Sequence, residues 1–208
     1  MLGLEISAAQ GSPLERALLV ANHISWLDVP VLGSLVDINF LSKDEVRHWP
    51  LIGWMSAQLG TLFIKRGGSQ TQVLSQRIES EIRAGRPVVL FPEGTTSDGR
   101  QLRHFHPRLL GAAQQPDLAV QPVAIRYGTN AEPDPYAPFI DDDTLLAHLW
   151  RLLQQPSLRV EVQFLEPIPS AGLDRRALAQ RCRNAIASAL QIELNSESSD
   201  RTAPKVTG

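Results

Sequence analysis

A histidine and an aspartate, His23 and Asp28, stand five positions apart, directly after a short apolar run at 17–21. A buried strand that ends in a polar cluster is a common place for an α/β protein to keep its chemistry. The two residue types suit a general base and its orienter, because Asp28 would hold one imidazole nitrogen as N–H and leave the other free to accept a proton. We find no partner nucleophile for this pair in the sequence.

The residues around this pair predict a strand-to-helix junction. Ser25 is a good N-cap, and Asp28 then falls at the third helical position, where the helix dipole favours an ionised carboxylate. His23 precedes the cap by two residues, so its ring can fold back toward that carboxylate. A capped helix with an incidental histidine remains the competing interpretation of this motif taken alone, because short motifs match by chance.

Short apolar runs alternate with helical patterns along the chain. They predict an α/β fold, a single domain with a mostly parallel central sheet flanked by helices. Strands are predicted near 17–21, 38–42, 61–64, 87–91, 119–126 and 158–165, and helices near 25–36, 50–59, 70–84, 107–114, 143–154 and 174–194. The domain is expected over residues 1–194, with a surface loop at 128–143 and a disordered tail at 195–208 that has almost nothing to bury.

Composition excludes several classes of protein. The chain has 208 residues and a net charge of −2, which gives no overall attraction to nucleic acid. The single cysteine, Cys182, rules out an internal disulfide and lies in a helical apolar stripe, so we expect it in the core. No apolar run reaches the roughly 18 residues of a spanning helix, and no signal peptide is present, which predicts a cytosolic or peripheral membrane protein.

Two further clusters follow predicted strands. Lys65 and Arg66 precede two glycines, an arrangement suited to phosphate or carboxylate, although an exposed basic turn has the same composition. The segment 91–99 follows the best predicted strand, and there Glu93 can accept from a hydroxyl while Gly94 and the Thr/Ser run offer donors. A capped turn is the alternative for this segment.

A fourth segment, 120–127, is a predicted strand interrupted by Pro122. A proline within a strand predicts an edge strand or a bulge, because it cannot donate to the ladder. A purely structural strand is the simpler interpretation, and Arg126 could still face a substrate.

Taken in order, four sets of residues resemble the four blocks of the glycerolipid acyltransferase family, which includes the bacterial 1-acylglycerol-3-phosphate acyltransferases. These sets are Asn22-His23…Asp28, Phe63…Arg66, Phe91-Pro92-Glu93-Gly94-Thr95 and Gln121-Pro122-Val123. The resemblance implies that His23 is the general base and Asp28 its orienter. It assigns substrate binding to residues within or beside the blocks: Asn22, Lys65, Arg66, Glu93, Gly94, Thr95 and Pro122. Arg66 would bind the acceptor's phosphate, and Pro122 would shape the acyl-donor or core side.

The implied reaction is transfer of an acyl chain from acyl-CoA or acyl-carrier protein to the free hydroxyl of a lysolipid. The first choice of acceptor is 1-acylglycerol-3-phosphate, giving phosphatidate. His23 would take the proton of that hydroxyl, which explains the missing nucleophile, and neither a cofactor nor a metal is expected. Backbone N–H groups at the helix start after His23 are candidate oxyanion donors.

Two departures from the family pattern qualify this expectation. The third block often carries an arginine where this chain has Thr96. One candidate phosphate contact is therefore absent, which leaves Lys65, Arg66, Arg100 and Arg103 as possible replacements. A branch that acylates lyso-ornithine lipid, which has no phosphate, has a third block that resembles the sequence Glu-Gly-Thr-Thr-Ser-Asp-Gly of this chain. We keep that acceptor as the alternative.

Two other classes of protein remain as alternatives. A thioesterase or lipid hydrolase could use the same His–Asp pair to activate water, and a lipid-binding module could retain the motifs without turnover.

The second departure concerns the membrane. Such acyltransferases usually carry an apolar helical segment before the first block, whereas only about twenty residues precede it here. We therefore expect a shortened form or an internal start, with the domain itself meeting the cytoplasmic face of the membrane as a peripheral protein. The segment 49–55, with two tryptophans, is either an interfacial patch or a packed core helix.

Overall fold

The computed structural model describes residues 3–43, 62–64, 70–114 and 118–194. In these residues the strands are β1 (Gly3–Gln10), β2 (Ala17–Ala21), β3 (Asn39–Lys43), β4 (Leu62–Ile64), β5 (Val88–Leu90), β6 (Ala119–Tyr127), β7 (Ser157–Phe164) and β8 (Ile168–Pro169). The helices are α1 (Asp28–Leu35), α2 (Gln70–Arg83), α3 (Leu145–Leu153) and α4 (Arg175–Leu190), with a 3₁₀ helix at Pro107–Gln114.

All of these strands belong to one sheet. Its order is β1-β7-β6-β2-β5-β3-β4, and β8 pairs with β6 beside that path. The strands from β6 to β4 run parallel to one another, whereas β7 and β8 run antiparallel to β6, and β1 runs parallel to β7. The predicted α/β domain with a mostly parallel sheet is confirmed.

Strand β2 lies in the middle of the sheet, and all five of its residues are buried. Leu18 and Val20 pack on the face that carries α2, α4 and the 3₁₀ helix, and Leu19 packs on the opposite face with α1 and α3. A strand covered on both faces needs a continuous apolar run, since successive side chains point to opposite sides. This double burial fixes the position of the residues that follow β2.

Several predicted elements need correction. The helix expected from residue 25 begins at Asp28, and the segment at 107–114 is a 3₁₀ helix rather than an α-helix. Strands β1 and β8 were not predicted. The predicted helix at 50–59, the 49–55 patch and the 195–208 tail lie outside the described residues.

Cys182 is fully buried, as expected. Burial raises the pKa of its thiol to about 12.

Pro122 does not lie in an edge strand. Strand β6 is central, with β2 on one side and β7 and β8 on the other. Pro122 sits where the partner strand changes from β8 to β7, and its carbonyl accepts the N–H of Leu165 at 2.9 Å. The Leu165 carbonyl would normally accept the backbone N–H at position 122. It accepts the side-chain N–H of the buried Gln121 in its place, at 3.1 Å. A side-chain amide thus supplies the donor that proline lacks, which explains how a central strand tolerates it.

Among the described residues, no helix has the length and apolar character needed to cross a membrane.

Candidate active site

The ends of neighbouring strands bring the predicted site together at one edge of the sheet. His23 follows the carboxyl end of β2, and Phe91 and Glu93 follow that of β5, which pairs directly with β2. Tyr127 ends β6, the neighbour of β2 on its other side. The carboxyl edge of parallel strands is where α/β proteins bind ligands.

His23 and Asp28 form the predicted pair. The imidazole Nδ1 lies 2.7 Å from Asp28 Oδ2. The Asp28 side chain is fully buried, whereas that of His23 is 19% exposed. Because an ionised carboxylate only accepts, Nδ1 carries the hydrogen and Nε2 is left to accept a proton. The ring stacks on Phe91 with centroids 4.0 Å apart, which fixes its plane.

Asp28 is held by donors on both carboxylate oxygens. Besides His23, Oδ2 accepts the backbone N–H groups of Ile24 at 2.8 Å and Ser25 at 3.0 Å. Oδ1 accepts the hydroxyl of Tyr127 at 2.8 Å. These bonds fix the position of the buried carboxylate and offset the cost of burying it, because each donor replaces a hydrogen bond to water.

The local geometry corrects the predicted cap and reduces the number of candidate oxyanion donors. Ser25 does not cap α1, since the helix begins at Asp28 after Leu27 with no side-chain cap bond, and Ser25 Oγ is buried without a partner in the described residues. The N–H groups of Ile24 and Ser25 point to Asp28 rather than toward a substrate. These two N–H groups are therefore excluded from the candidate oxyanion donors at the helix start.

Tyr127 is a residue that the sequence analysis missed. Burial, together with the neighbouring Asp28 carboxylate, raises the pKa of this phenol well above its usual value, so the hydroxyl stays protonated and donates. Its position as the last residue of β6, at the same sheet edge, is the signal that could have identified it. Tyr127 acts through Asp28 and is a positioning residue.

Replacing Tyr127 by phenylalanine should lower kcat by about tenfold, because a loosened carboxylate orients the imidazole less well. KM for both substrates should stay unchanged, since the hydroxyl points to Asp28 and not to a ligand. Losing one donor to a buried carboxylate should also cost about 1–2 kcal/mol of stability. Steady-state kinetics and thermal unfolding measure both effects, with Tyr136→Phe at an exposed tyrosine as the matched control. A raised KM with unchanged kcat would contradict the positioning role.

Glu93 is predicted to bind substrate. In the structure its side chain is buried against the loop after β2 that carries His23. It is only 3% exposed. Its Oε1 accepts the backbone N–H of His23 at 2.9 Å and its Oε2 that of Arg103 at 3.0 Å. Burial raises the pKa of this carboxyl, and the two backbone bonds oppose the rise. Glu93 therefore joins the loop after β2 to the loop after β5.

Gly94 follows at φ +71°, a left-handed conformation that favours glycine. An added Cβ would lie 3.5 Å from the ring of His106, so the constraint at this position comes from the backbone and not from crowding. Thr95, the next predicted residue, is exposed.

Two other predicted substrate-binding residues are buried in the sheet. Asn22 is 1% exposed, and its side-chain amide both donates to the Ile125 carbonyl at 2.9 Å and accepts the Ile125 N–H at 2.8 Å. It thus adds one more pair of hydrogen bonds between the chain after β2 and strand β6. This pair fixes the backbone position of the next residue, His23. Pro122 lies within β6, as described above. Arg126 does not point toward the pair, since it bonds to Glu161 at 3.2 Å.

Thr96 connects the third block to the loop between β6 and α3. Its hydroxyl donates to the Phe139 carbonyl, and the Phe139 N–H donates to the Ile24 carbonyl at 3.0 Å. The residue that replaces the family's arginine therefore holds a loop that contacts the His23 segment directly.

Lys65 and Arg66, the predicted phosphate contacts, lie outside the described residues. Within the described part of the chain, two cavities of about 370 and 660 Å³ share Asp98, Arg100, Asp134 and Pro138 in their walls, and neither is lined by His23. The described residues also contain no group of three or more His, Cys, Asp or Glu side chains that could hold a metal ion.

An α/β sheet that holds a part-exposed histidine against a buried aspartate, at the carboxyl edge of its parallel strands, has the arrangement of an enzyme site with a general base. The chain belongs to the acyltransferase family, whose model, described as Acyltransferase, matches residues 4–126.

Relatives of this chain carry two related names. It is 49% identical over 189 residues to a lyso-ornithine lipid O-acyltransferase of Pseudomonas aeruginosa, covering 91% of this chain and 73% of the relative. It is 29% identical over 187 residues to a 1-acyl-sn-glycerol-3-phosphate acyltransferase of Neisseria gonorrhoeae, covering 89% and 73%. The crystal structure of a 1-acyl-sn-glycerophosphate acyltransferase from Thermotoga maritima superimposes with a TM-score of 0.63 at 22% identity, over 91% of this chain and 71% of that one, and confirms the fold. The chain is an acyltransferase of the lysolipid type.

Proposed function

We propose that this chain transfers a fatty acyl group from a thioester donor to the free hydroxyl of lyso-ornithine lipid. His23 Nε2 takes the hydroxyl proton while the oxygen attacks the thioester carbonyl. The tetrahedral intermediate then expels the thiolate, which recovers the proton from the imidazolium. The carbon–oxygen bond formed replaces the carbon–sulfur bond broken, so neither an acyl-enzyme nor a cofactor is needed. Acyl-CoA and acyl-carrier protein are both suitable donors, and we place the reaction at the cytoplasmic face of the membrane.

The observation that carries this choice of acceptor is Thr96. At the position where the third block of the family often has an arginine, this chain has a neutral hydroxyl that is bonded to the Phe139 carbonyl. A phosphate carries a charge near −2 and is recognised best by guanidinium groups, so a site without that arginine suits an acceptor without phosphate. The higher identity to relatives named for lyso-ornithine lipid supports the same acceptor, which the sequence analysis kept as its alternative.

A side-by-side assay tests the proposal. Purified protein is offered lyso-ornithine lipid and lysophosphatidate, each with acyl-CoA and with acyl-carrier protein, and the diacyl products are separated and counted. We expect transfer to lyso-ornithine lipid to have the higher kcat/KM with the better donor. Higher kcat/KM with lysophosphatidate would overturn the proposed acceptor and restore the first choice of the sequence analysis.

Release of free fatty acid is measured in the same assay. A thioesterase that uses His23 to activate water would release fatty acid without acceptor at a rate matching transfer. We expect release to be much slower than transfer, because a hydroxyl held in position beside His23 has a far higher effective concentration than a water molecule from solvent.

Replacing Thr96 by arginine should shift the preference between acceptors. A guanidinium at this position would offer charge-assisted bonds to a phosphate, so we expect the ratio of kcat/KM for lysophosphatidate to that for lyso-ornithine lipid to rise about tenfold. Thr96→Val removes the bond to Phe139 without adding charge, and Gln101→Arg adds the same charge at an exposed residue nearby. If all three variants lower both activities in the same proportion, position 96 does not select the acceptor.

A further inference from the structure

Helix α3 carries an apolar stripe that the described structure leaves exposed. Leu146 is 76% exposed, Trp150 69% and Leu153 47%. Residues four and three apart in a helix lie on one side, so these three side chains form a continuous strip along α3. The opposite side of the helix, with His148 and Leu152, is fully buried.

The strip, defined as Leu146, Trp150 and Leu153, carries no charge. The helix's one charged side chain, Arg151, is turned away to Asp143, whose two carboxylate oxygens it binds at 2.9 and 2.7 Å. Single exposed leucines are common on protein surfaces, but a row of three large apolar side chains marks an interaction surface. Covering this strip would remove apolar area from water without desolvating a charge.

We propose that the strip of α3 is the surface that docks this enzyme onto a lipid bilayer; this inference rests on the proposed function. A lysolipid acceptor holds its acyl chain in the bilayer, so an enzyme that acylates it must meet the plane of the headgroups. Tryptophan and leucine on one side of a helix suit that plane, since the indole has an apolar body and a polar N–H.

The charged side chains just before α3 indicate which type of bilayer the strip would bind. Asp141 and Asp142, just before α3, are exposed. The next aspartate, Asp143, is already paired with Arg151, and this ion pair holds the pKa of Asp143 below its usual range. Two exposed carboxylates just before the helix attract ammonium groups and are repelled by an anionic surface. The matching partner is a bilayer of net-neutral lipids that carry amines in their headgroups.

The same helix is bonded to the catalytic loop. Trp26, between His23 and Asp28 in the chain, donates its indole N–H to His148 Nδ1 at 3.0 Å. His148 Nε2 donates to the Pro138 carbonyl at 3.0 Å, one residue before the Phe139 that contacts Ile24. The strip lies on the side of α3 away from His148. Docking through the strip therefore sets the position of the catalytic loop relative to the bilayer.

Vesicle flotation tests the surface without any need for turnover. The full chain is mixed with vesicles of phosphatidylethanolamine and phosphatidylcholine, or with vesicles in which phosphatidylglycerol replaces part of the lipid. The double variant Leu146→Ser/Trp150→Ser is compared with Gln180→Ser/Arg181→Ser, a pair of exposed positions on α4. We expect the strip variant to lower partitioning into neutral vesicles by about tenfold or more, because two large apolar side chains are lost. The α4 variant should bind like the wild type, and phosphatidylglycerol should weaken wild-type binding.

Transfer to a short-chain lyso-ornithine acceptor dissolved as monomers separates docking from chemistry. The strip variant should keep wild-type turnover on this acceptor and lose turnover on acceptor held in vesicles. Unchanged flotation of the strip variant would overturn the proposal. So would a strip variant that turns a dimer into a monomer in light scattering while still binding vesicles, since a second copy would then cover the strip. Loss of flotation in a protein that acylates no acceptor would uphold the docking surface and refute the proposed function alone.

Discussion

Replacing His23 by alanine is expected to lower kcat for acyl transfer by about 10³-fold, the usual contribution of a general base. The imidazole is the group that removes the acceptor's proton, and Asp28, fully buried and bonded to Nδ1, cannot replace it. Binding of either substrate should change little, so KM should stay within a few-fold of the wild type. Steady-state kinetics with saturating donor measures both constants.

The matched control for His23→Ala is His104→Ala, which removes an exposed histidine from the loop after β5. It should keep wild-type kcat. Fatty-acid release without acceptor should fall together with transfer in the His23 variant, since both reactions need the same base. If the His23 variant keeps wild-type transfer, the histidine is not the base and the proposed mechanism fails.

The parts of this fold that the sequence predicted best are those with continuous apolar runs. Strand β2 was predicted at its observed bounds, because a strand buried on both faces is apolar at every position. Strand β1 was missed. Its residues 3–10 include only two large apolar side chains, and its pairing partner β7 lies about 150 residues further along the chain. No local pattern reports a contact of that separation.

The candidate site shows the same difference between contacts that are local in the sequence and contacts that are not. His23 and Asp28 are close in sequence, so their bond could be predicted from the spacing. Tyr127, 99 positions after Asp28, reaches it only because β6 lies next to β2. Motif resemblance gives residue types but not contacts, so it did not predict that both oxygens of Glu93 accept backbone N–H groups.

Replacing Asp28 by asparagine is expected to reduce both activity and stability. The carboxylate accepts four donors in the described residues, one from His23, two from the backbone and one from Tyr127. An amide of the same shape has one accepting oxygen, and its NH₂ group would face at least one of these donors. We expect the free energy of unfolding to fall by about 3 kcal/mol, as when a buried charged partner is lost.

The effect of Asp28→Asn on catalysis should be separable from its effect on folding. An asparagine would present to Nδ1 either its NH₂ group, which puts the imidazole hydrogen on Nε2, or its oxygen without the negative charge that stabilises the imidazolium. In either case kcat should fall by about 10³-fold even in folded protein. Activity is therefore measured well below the unfolding transition, with folding checked by circular dichroism. Asp37→Asn, at an exposed aspartate just after α1, is the control and should change neither quantity. If folded Asp28→Asn protein retained wild-type kcat, the buried carboxylate would only anchor the loop, and His23 would act without an orienter.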